Sequence, residues 1–296
     1  MIMTLEKIFG RFKLIVIMYL KMRNIFSAID DFYRKLLGKK PVLSRLEYHA
    51  AEHCNLNCKG CFHFSNLVSS DKFPSITQFS ADMSRLSELF GNIGIISLMG
   101  GEPLLNPQLP QIIREARKTF PRAKINLRTN GILYQKIEGD LLESIISSDV
   151  LIQVSLYKPM AHKRDELKHF FGAKKIRHWI SNPILHFGKY LNLKGSSTPK
   201  RSISQCHASR CTFLKDGYIA RCPLPFNIEH FNSYFDQNIS MKCEWIHIYE
   251  NNADGLAINK RLREPMESCR YCGNMEWVGW EKNSPDNRVK IEDFVQ

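Results

Sequence analysis

A chain of 296 residues can bury a sizeable core and has room for one large domain and a smaller one. Its 42 Lys and Arg against 29 Asp and Glu leave a net charge of +13, which favours acidic partners such as nucleic acid, anionic lipid or phosphorylated metabolites without choosing among them. The nine cysteines are odd in number and fall in metal-ligand spacings, which argues against a secreted disulfide framework and points to the cytosol.

Residues 1–41 carry apolar side chains at a helical period, from Leu5, Ile8 and Phe12 through Tyr19, Phe26, Ile29 and Tyr33 to Leu36 and Leu37. Nine basic against three acidic side chains make this a basic amphipathic helix. Its longest apolar run, Leu14 to Leu20, is far short of the roughly 20 residues a membrane span requires, and no small-residue cleavage site follows it. The segment is therefore expected to lie on an anionic membrane surface, to dock a protein partner, or to pack its apolar face on the same chain.

From Pro41 onward, strand and helix signals alternate. Strands are expected at Arg45–Ala50, Ile95–Met99, Lys124–Thr129 and Val150–Tyr157, with helices at Ile76–Phe90, Gln108–Thr119 and Ile137–Ser147 between them. Lys175–Ile180 and Ile184–Phe187 continue the strand pattern more weakly. Such alternation predicts an α/β fold with a parallel sheet of five or six strands, and a site at the strand C-termini.

The first strand runs into Glu52-His53-Cys54-Asn55-Leu56-Asn57-Cys58-Lys59-Gly60-Cys61, where three cysteines stand at C-x3-C-x2-C spacing. Asn55, Asn57 and Gly60 form turns better than helices, so the stretch reads as a loop wrapped around something rather than a helix face of buried thiols. A structural zinc site wants four ligands, for which only His53 and His63 stand nearby. Three thiolates can instead hold three irons of a 4Fe-4S cluster and leave one iron open.

At this point the chain resembles the radical S-adenosylmethionine (radical SAM) enzymes. The resemblance implies a partial (β/α) barrel, a 4Fe-4S cluster on Cys54, Cys58 and Cys61, and S-adenosylmethionine (SAM) chelated to the open iron. Gly100-Gly101-Glu102-Pro103 matches the motif that meets the SAM amino group, with Glu102 or neighbouring carbonyls as acceptors, and Asn130 and Ser155 match polar strand-end residues that meet its carboxylate or ribose. Gly60 departs from the pattern, since an aromatic usually precedes the last cysteine; Phe62 or Phe64 is the expected replacement. An electron donor such as flavodoxin or ferredoxin is implied as a partner.

Ser196 to Ser204 is polar and reads as a linker, dividing the chain into a helical extension (1–41), a barrel (42–195) and a small cysteine-rich domain (196–296). Cys206, Cys222, Cys269 and Cys272, with a hairpin at Lys215-Asp216-Gly217-Tyr218, resemble the auxiliary-cluster domain called twitch, a short form of SPASM, and imply a second 4Fe-4S cluster. A zinc ribbon is the alternative. Cys211 and Cys243 are spare, although Cys211 could displace Cys206 as a ligand. Twitch-bearing members include dehydrogenases and epimerases of sugars and aminocyclitols, so the resemblance implies a carbohydrate-like small-molecule substrate. In an epimerase Cys243 or Cys211 would face the substrate and donate a hydrogen atom. Peptide maturation, RNA modification and a non-enzymatic metal-binding scaffold are the other readings; nucleic acid is disfavoured because no RNA-binding module announces itself.

Overall fold

The computed structural model describes residues 22, 25–68, 72–206 and 211–296. Helix α1 (25–36) precedes β1 (Val42–Ala51), whose residues are buried continuously from Leu46 because both faces of a parallel sheet are covered. Four further strands follow through helical crossovers: β2 (Asn92–Gly100), β3 (Lys124–Thr129), β4 (Leu151–Val154) and β5 (His178–Ile180). The helices α2 (Ile76–Leu89), α3 (Leu109–Thr119), α4 (Gly139–Ser147) and α5 (Arg164–Ala173) connect them. Leu46, Ile96, Leu127 and Ile152 of the strands join Phe79, Ile112 and Phe171 of the helices in one core.

Local chemistry sets these elements. Ser75 caps α2 by accepting from the Gln78 N–H. Beyond α3, the Arg117 guanidinium gathers the carbonyls of Ser148, Pro121 and Ala123 and so ties the α3–β3 and α4–β4 turns together.

The α/β class and the parallel sheet follow the sequence expectation, with five strands in the order β5-β4-β3-β2-β1. The expected sixth strand does not. β6 (His186–Leu191) leaves the sheet and pairs antiparallel with β10 (Cys272–Gly279). The other edge of β1 is instead taken by β7 (Phe213–Lys215), parallel to it, followed antiparallel by β8 (Tyr218–Ala220) and β9 (Ile246–His247). The result is one eight-stranded sheet that continues across residue 195. α6 (Pro199–Gln205), α7 (Leu224–Phe235) and α8 (Gly255–Arg263) complete the fold. Around α7 a second core gathers Phe231, Phe64 and Phe294.

Asp82 on α2 fixes the added hairpin. Its side chain is buried, accepts from the Gly217 N–H at the β7–β8 turn at 3.0 Å and from the Tyr249 hydroxyl at 2.8 Å, and also takes the Gln78 amide. Removing it strands a buried N–H, and each hydrogen bond to a charged group is worth roughly 1.5–3 kcal/mol. Asp82→Ala is therefore expected to lower the unfolding free energy by about 2 kcal/mol in urea denaturation under anaerobic conditions; an unchanged midpoint would show that β1 pairing alone holds the hairpin.

Candidate active site

The four parallel strands β1 to β4 deliver their C-terminal ends to one cavity of about 690 Å³, open to solvent. The Cys54–Cys61 loop follows β1, Gly100 and Gly101 end β2, Thr129 and Asn130 end β3, and Ser155 and Tyr157 follow β4; all of them line it. The strand-end expectation thus brings Cys54, Cys58, Cys61, Gly100, Gly101, Asn130 and Ser155 together.

The loop is irregular, as its composition predicts, with Asn57, Gly60 and Phe64 at positive φ. A Cβ on Gly60 would lie 2.8 Å from the Asp293 carbonyl oxygen, so the departure from the family pattern has a packing cause: the C-terminal segment crosses at that point. The same segment grips the preceding residue, with Lys59 Nζ 3.4 Å from Glu281 and 3.3 Å from Asp293. The expected aromatic replacements do not enter the cavity. Phe64 is buried against Phe231 and Phe294, and Phe62 packs on Tyr190 at 4.6 Å between ring centroids. Tyr157 is the aromatic wall instead.

Gly101 makes the closest approach. An added Cβ there would sit 1.9 Å from the His53 carbonyl oxygen, while the Gly101 and Glu102 N–H groups donate to the carbonyls of Ala51 and His53. Glu102 itself turns away from the cavity. Fully buried, it accepts from the Leu104 N–H, the Thr129 hydroxyl and the Asn130 N–H. The expectation that its carboxylate serves as an acceptor in the cavity is therefore corrected: it clamps β2 to β3, and the cavity side of the turn is backbone. Asn130, so oriented, donates through Nδ2 to the Asn55 side chain at 2.8 Å and to Cys54 Sγ at 3.6 Å.

The three thiols face one another and are electrostatically coupled. Burial pushes Cys54 up to about 12 and raises Cys58 and Cys61 as well, so without metal they are neutral thiols. A coordinated cation reverses this, because a metal-bound thiol is deprotonated outright. Among the described residues, no three His, Cys, Asp or Glu side chains are set closely enough to hold one metal ion.

Several lining residues escaped the sequence reading. Ser65 and Asn66 are buried, and the Ser65 hydroxyl and both Asn66 amide atoms have no partner among the described residues. Buried polar groups are nearly always paired, so these are set for a ligand. The only signal was a polar pair inside an apolar stretch directly after the cysteine loop. Arg128 also lines the cavity; it reaches the Gln153 side chain at 3.3 Å and makes no ion pair among the described residues. His63, held neutral by burial, connects the cavity to His49 (2.9 Å) and onward to Glu52, which also meets His230 and Lys215. Burial alone would raise Glu52, but hydrogen bonds from His230 and His49 and the Lys215 charge hold it well below the usual carboxylate range.

The second cysteine group also assembles. Cys222 is raised by burial and then by its neighbours Cys272, Cys206 and Cys269, the four expected ligands. Tyr190 lies between the two groups, within electrostatic reach of Cys272, Cys222 and Cys206 on one side and of Cys61 on the other. Arg221, only 5% exposed, lies within electrostatic reach of Cys269, Cys206 and Cys222 and donates to the carbonyls of Leu262 and Glu264, and its Nε has no partner among the described residues. Cys211 does not reach the cavity. The Glu47 N–H donates to the Thr212 carbonyl, which lays the chain along β1 and sets the Cys211 thiol against Glu47. The Cys243 side chain lies outside the described residues, and its backbone forms a short turn of helix at Lys242–Glu244.

Residues 45–177 match a family described as a 4Fe-4S single cluster domain. A probable GTP 3',8-cyclase of Methanococcus aeolicus is 32% identical over 131 residues, 42% of this chain and 43% of that protein. Molybdenum cofactor biosynthesis protein 1 of Dictyostelium discoideum is 34% identical over 47% of this chain and 22% of its own length. The chain thus spans less than half the length of these curated relatives. Among solved structures, BtrN in complex with AdoMet and 2-DOIA superposes with a TM-score of 0.50 at 20% identity, covering 79% of this chain and 94% of that one.

Glu102 is pushed up to about 7 by burial, against the hydrogen bonds it accepts. Since its ordinary value is 4.5, the folded chain binds more protons than the unfolded chain between those pH values, and stability falls as pH rises through the window. The loss amounts to about 3 kcal/mol at 1.36 kcal/mol per unit. Replacing Glu102 by Gln is expected to flatten the dependence of unfolding free energy on pH between about 5 and 7; an equally steep profile would place the responsible group elsewhere.

Proposed function

The chain belongs to the radical SAM superfamily, and on that premise we propose that it oxidises a small carbohydrate-like metabolite, a nucleotide ribose included, by removing hydrogen from an unactivated C–H bond. The cofactors are a 4Fe-4S cluster and SAM, whose reductive cleavage supplies a 5'-deoxyadenosyl radical. Cys54, Cys58 and Cys61 hold the cluster and leave one iron for SAM. Asn130 fixes Cys54 by its amide hydrogen bond. The Gly100–Gly101 backbone and Ser155 line the cavity where SAM lies, and Ser65 and Asn66 offer the unpaired groups that a polar ligand needs. Arg128 is placed to meet an anionic or strongly polar part of the substrate.

The observation that carries oxidation over a redox-neutral outcome is the second thiol group. Four cysteines, Cys206, Cys222, Cys269 and Cys272, supply every protein ligand of a 4Fe-4S cluster and leave no open iron, the arrangement of an electron carrier. In the oxidation, the substrate radical loses one proton and passes one electron to that carrier, so the product lacks two hydrogens. Epimerisation would need a hydrogen donor on the opposite face; of the two candidates, Cys211 faces Glu47 instead, and the Cys243 side chain lies outside the described residues. Cyclisation of a purine nucleotide is the second reading, favoured by the names of the relatives, which are GTP 3',8-cyclases rather than sugar dehydrogenases. Flavodoxin or ferredoxin is the proposed reductant.

Anaerobic reconstitution is expected to give about eight irons per chain, four in each cluster. Replacing Cys54, Cys58 and Cys61 together by Ala should leave about half of that iron and abolish SAM cleavage; persistent cleavage would remove the loop from the reaction. Incubation of the reconstituted enzyme with SAM, reductant and candidate sugars or nucleotides should yield a product lighter by two hydrogens. An isomer of unchanged mass would support a redox-neutral outcome, cyclisation or epimerisation, which deuterium uptake at carbon from deuterated water separates, since only epimerisation returns a hydrogen to the abstracted carbon.

Arg221 adds a prediction for the second cluster. A buried cation without a carboxylate partner is costly unless an anion faces it, and a four-thiolate cluster is such an anion. Arg221→Gln should therefore make that cluster harder to reduce, by about 59 mV for each tenfold change in a one-electron equilibrium, while Arg221→Lys holds the potential near that of the parent. Equal shifts in both variants would show that the charge is not the agent.

A further inference from the structure

Helix α1 is attached to the protein by its polar face. Asp31, 5% exposed, accepts from Arg263 of α8 at 2.6 Å and from the Asn259 amide at 3.1 Å, and the Ser27 hydroxyl accepts from Arg263 at 3.3 Å. At about 100° per residue, Ser27 and Asp31 lie opposite the apolar stripe. That stripe, formed by Ile25, Phe26, Ile29, Phe32, Tyr33 and Leu36, faces outward, with Phe26 67% and Leu36 66% exposed. Of the three expectations from the sequence, packing of the apolar face on the same chain is not met by this helix, because turning the stripe inward would break the buried Asp31–Arg263 pair.

We propose that this stripe is a docking surface for a membrane leaflet rich in anionic lipid. Charge chooses the occupant. Lys35 and Lys39 are exposed beside the C-terminal end of the stripe and form no ion pair among the described residues, and Lys21 and Arg23 precede it in the sequence. A second copy of a chain with net charge +13 would bring like charges against these lysines, whereas anionic headgroups attract them. Phe26, Phe32 and Tyr33 are the side chains that an interfacial helix places at the headgroup boundary. No helix among the described residues is long and apolar enough to cross the bilayer, so the helix lies in the plane.

The test is sedimentation of the full reconstituted chain with vesicles of phosphatidylcholine alone or mixed with phosphatidylglycerol. The parent is expected to sediment with the mixed vesicles, less so as salt rises, and to ignore the neutral ones. Ile29→Glu with Phe32→Glu should lower the partition at least tenfold while leaving SAM cleavage and the circular dichroism spectrum unchanged, since neither side chain touches the site. Absence of binding to the mixed vesicles, or equal binding by the variant, would overturn the proposal. So would a salt-stable dimer in sedimentation velocity that the variant dissolves, which would assign the stripe to a second copy.

Discussion

The site depends on a backbone contact. The end of β2 passes so close to the residues after β1 that position 101 has no room for a side chain, and the two segments exchange hydrogen bonds through the carbonyls of Ala51 and His53. That contact sets the start of the cysteine loop relative to the sheet. Glu102 extends the constraint to β3 by accepting from Thr129 and Asn130, and Asn130 returns it to Cys54. Three strand ends and one thiol are thereby linked by a closed ring of contacts. Such preorganisation is what holding reacting groups in one geometry requires.

The carboxyl-terminal segment closes the loop from the other side. Lys59 meets Glu281 and Asp293, Gly60 lies under the Asp293 carbonyl, and Phe294 packs on Phe64. The first thiol group is consequently held between the sheet and the last turns of the chain. Tyr190, on a strand that left the sheet to pair with β10, stands between that group and the second. The departure of β6 from the parallel sheet therefore brings an aromatic ring within electrostatic reach of both thiol groups.

The parts legible in the sequence were those encoded by spacing. The alternation of strands with helices predicted the parallel sheet, and the cysteines at fixed intervals and the glycine pair after an apolar strand line one cavity at its strand ends. Side-chain direction was not legible. Glu102 sits in the motif yet points into the protein, because three donors converge on it from β3 and the following turn. Phe64 sits beside the last cysteine yet belongs to the second core. Ser65 and Asn66 carry no motif and became visible only as buried groups without partners. In α1 the periodicity gave the apolar face correctly but could not say which face the protein would use, since that is decided by Arg263 and Asn259, more than 220 residues away.

The central claim is that the Cys54, Cys58 and Cys61 thiols hold a cluster with one iron open to SAM, and Mössbauer spectroscopy of the protein reconstituted with ⁵⁷Fe tests it most directly. Addition of SAM is predicted to change the signal of a single iron, about one in eight of the total, and to change none when the same SAM is added to the Cys54→Ala protein. A parent spectrum identical with and without SAM would contradict the account, because every iron would then already have its full set of ligands.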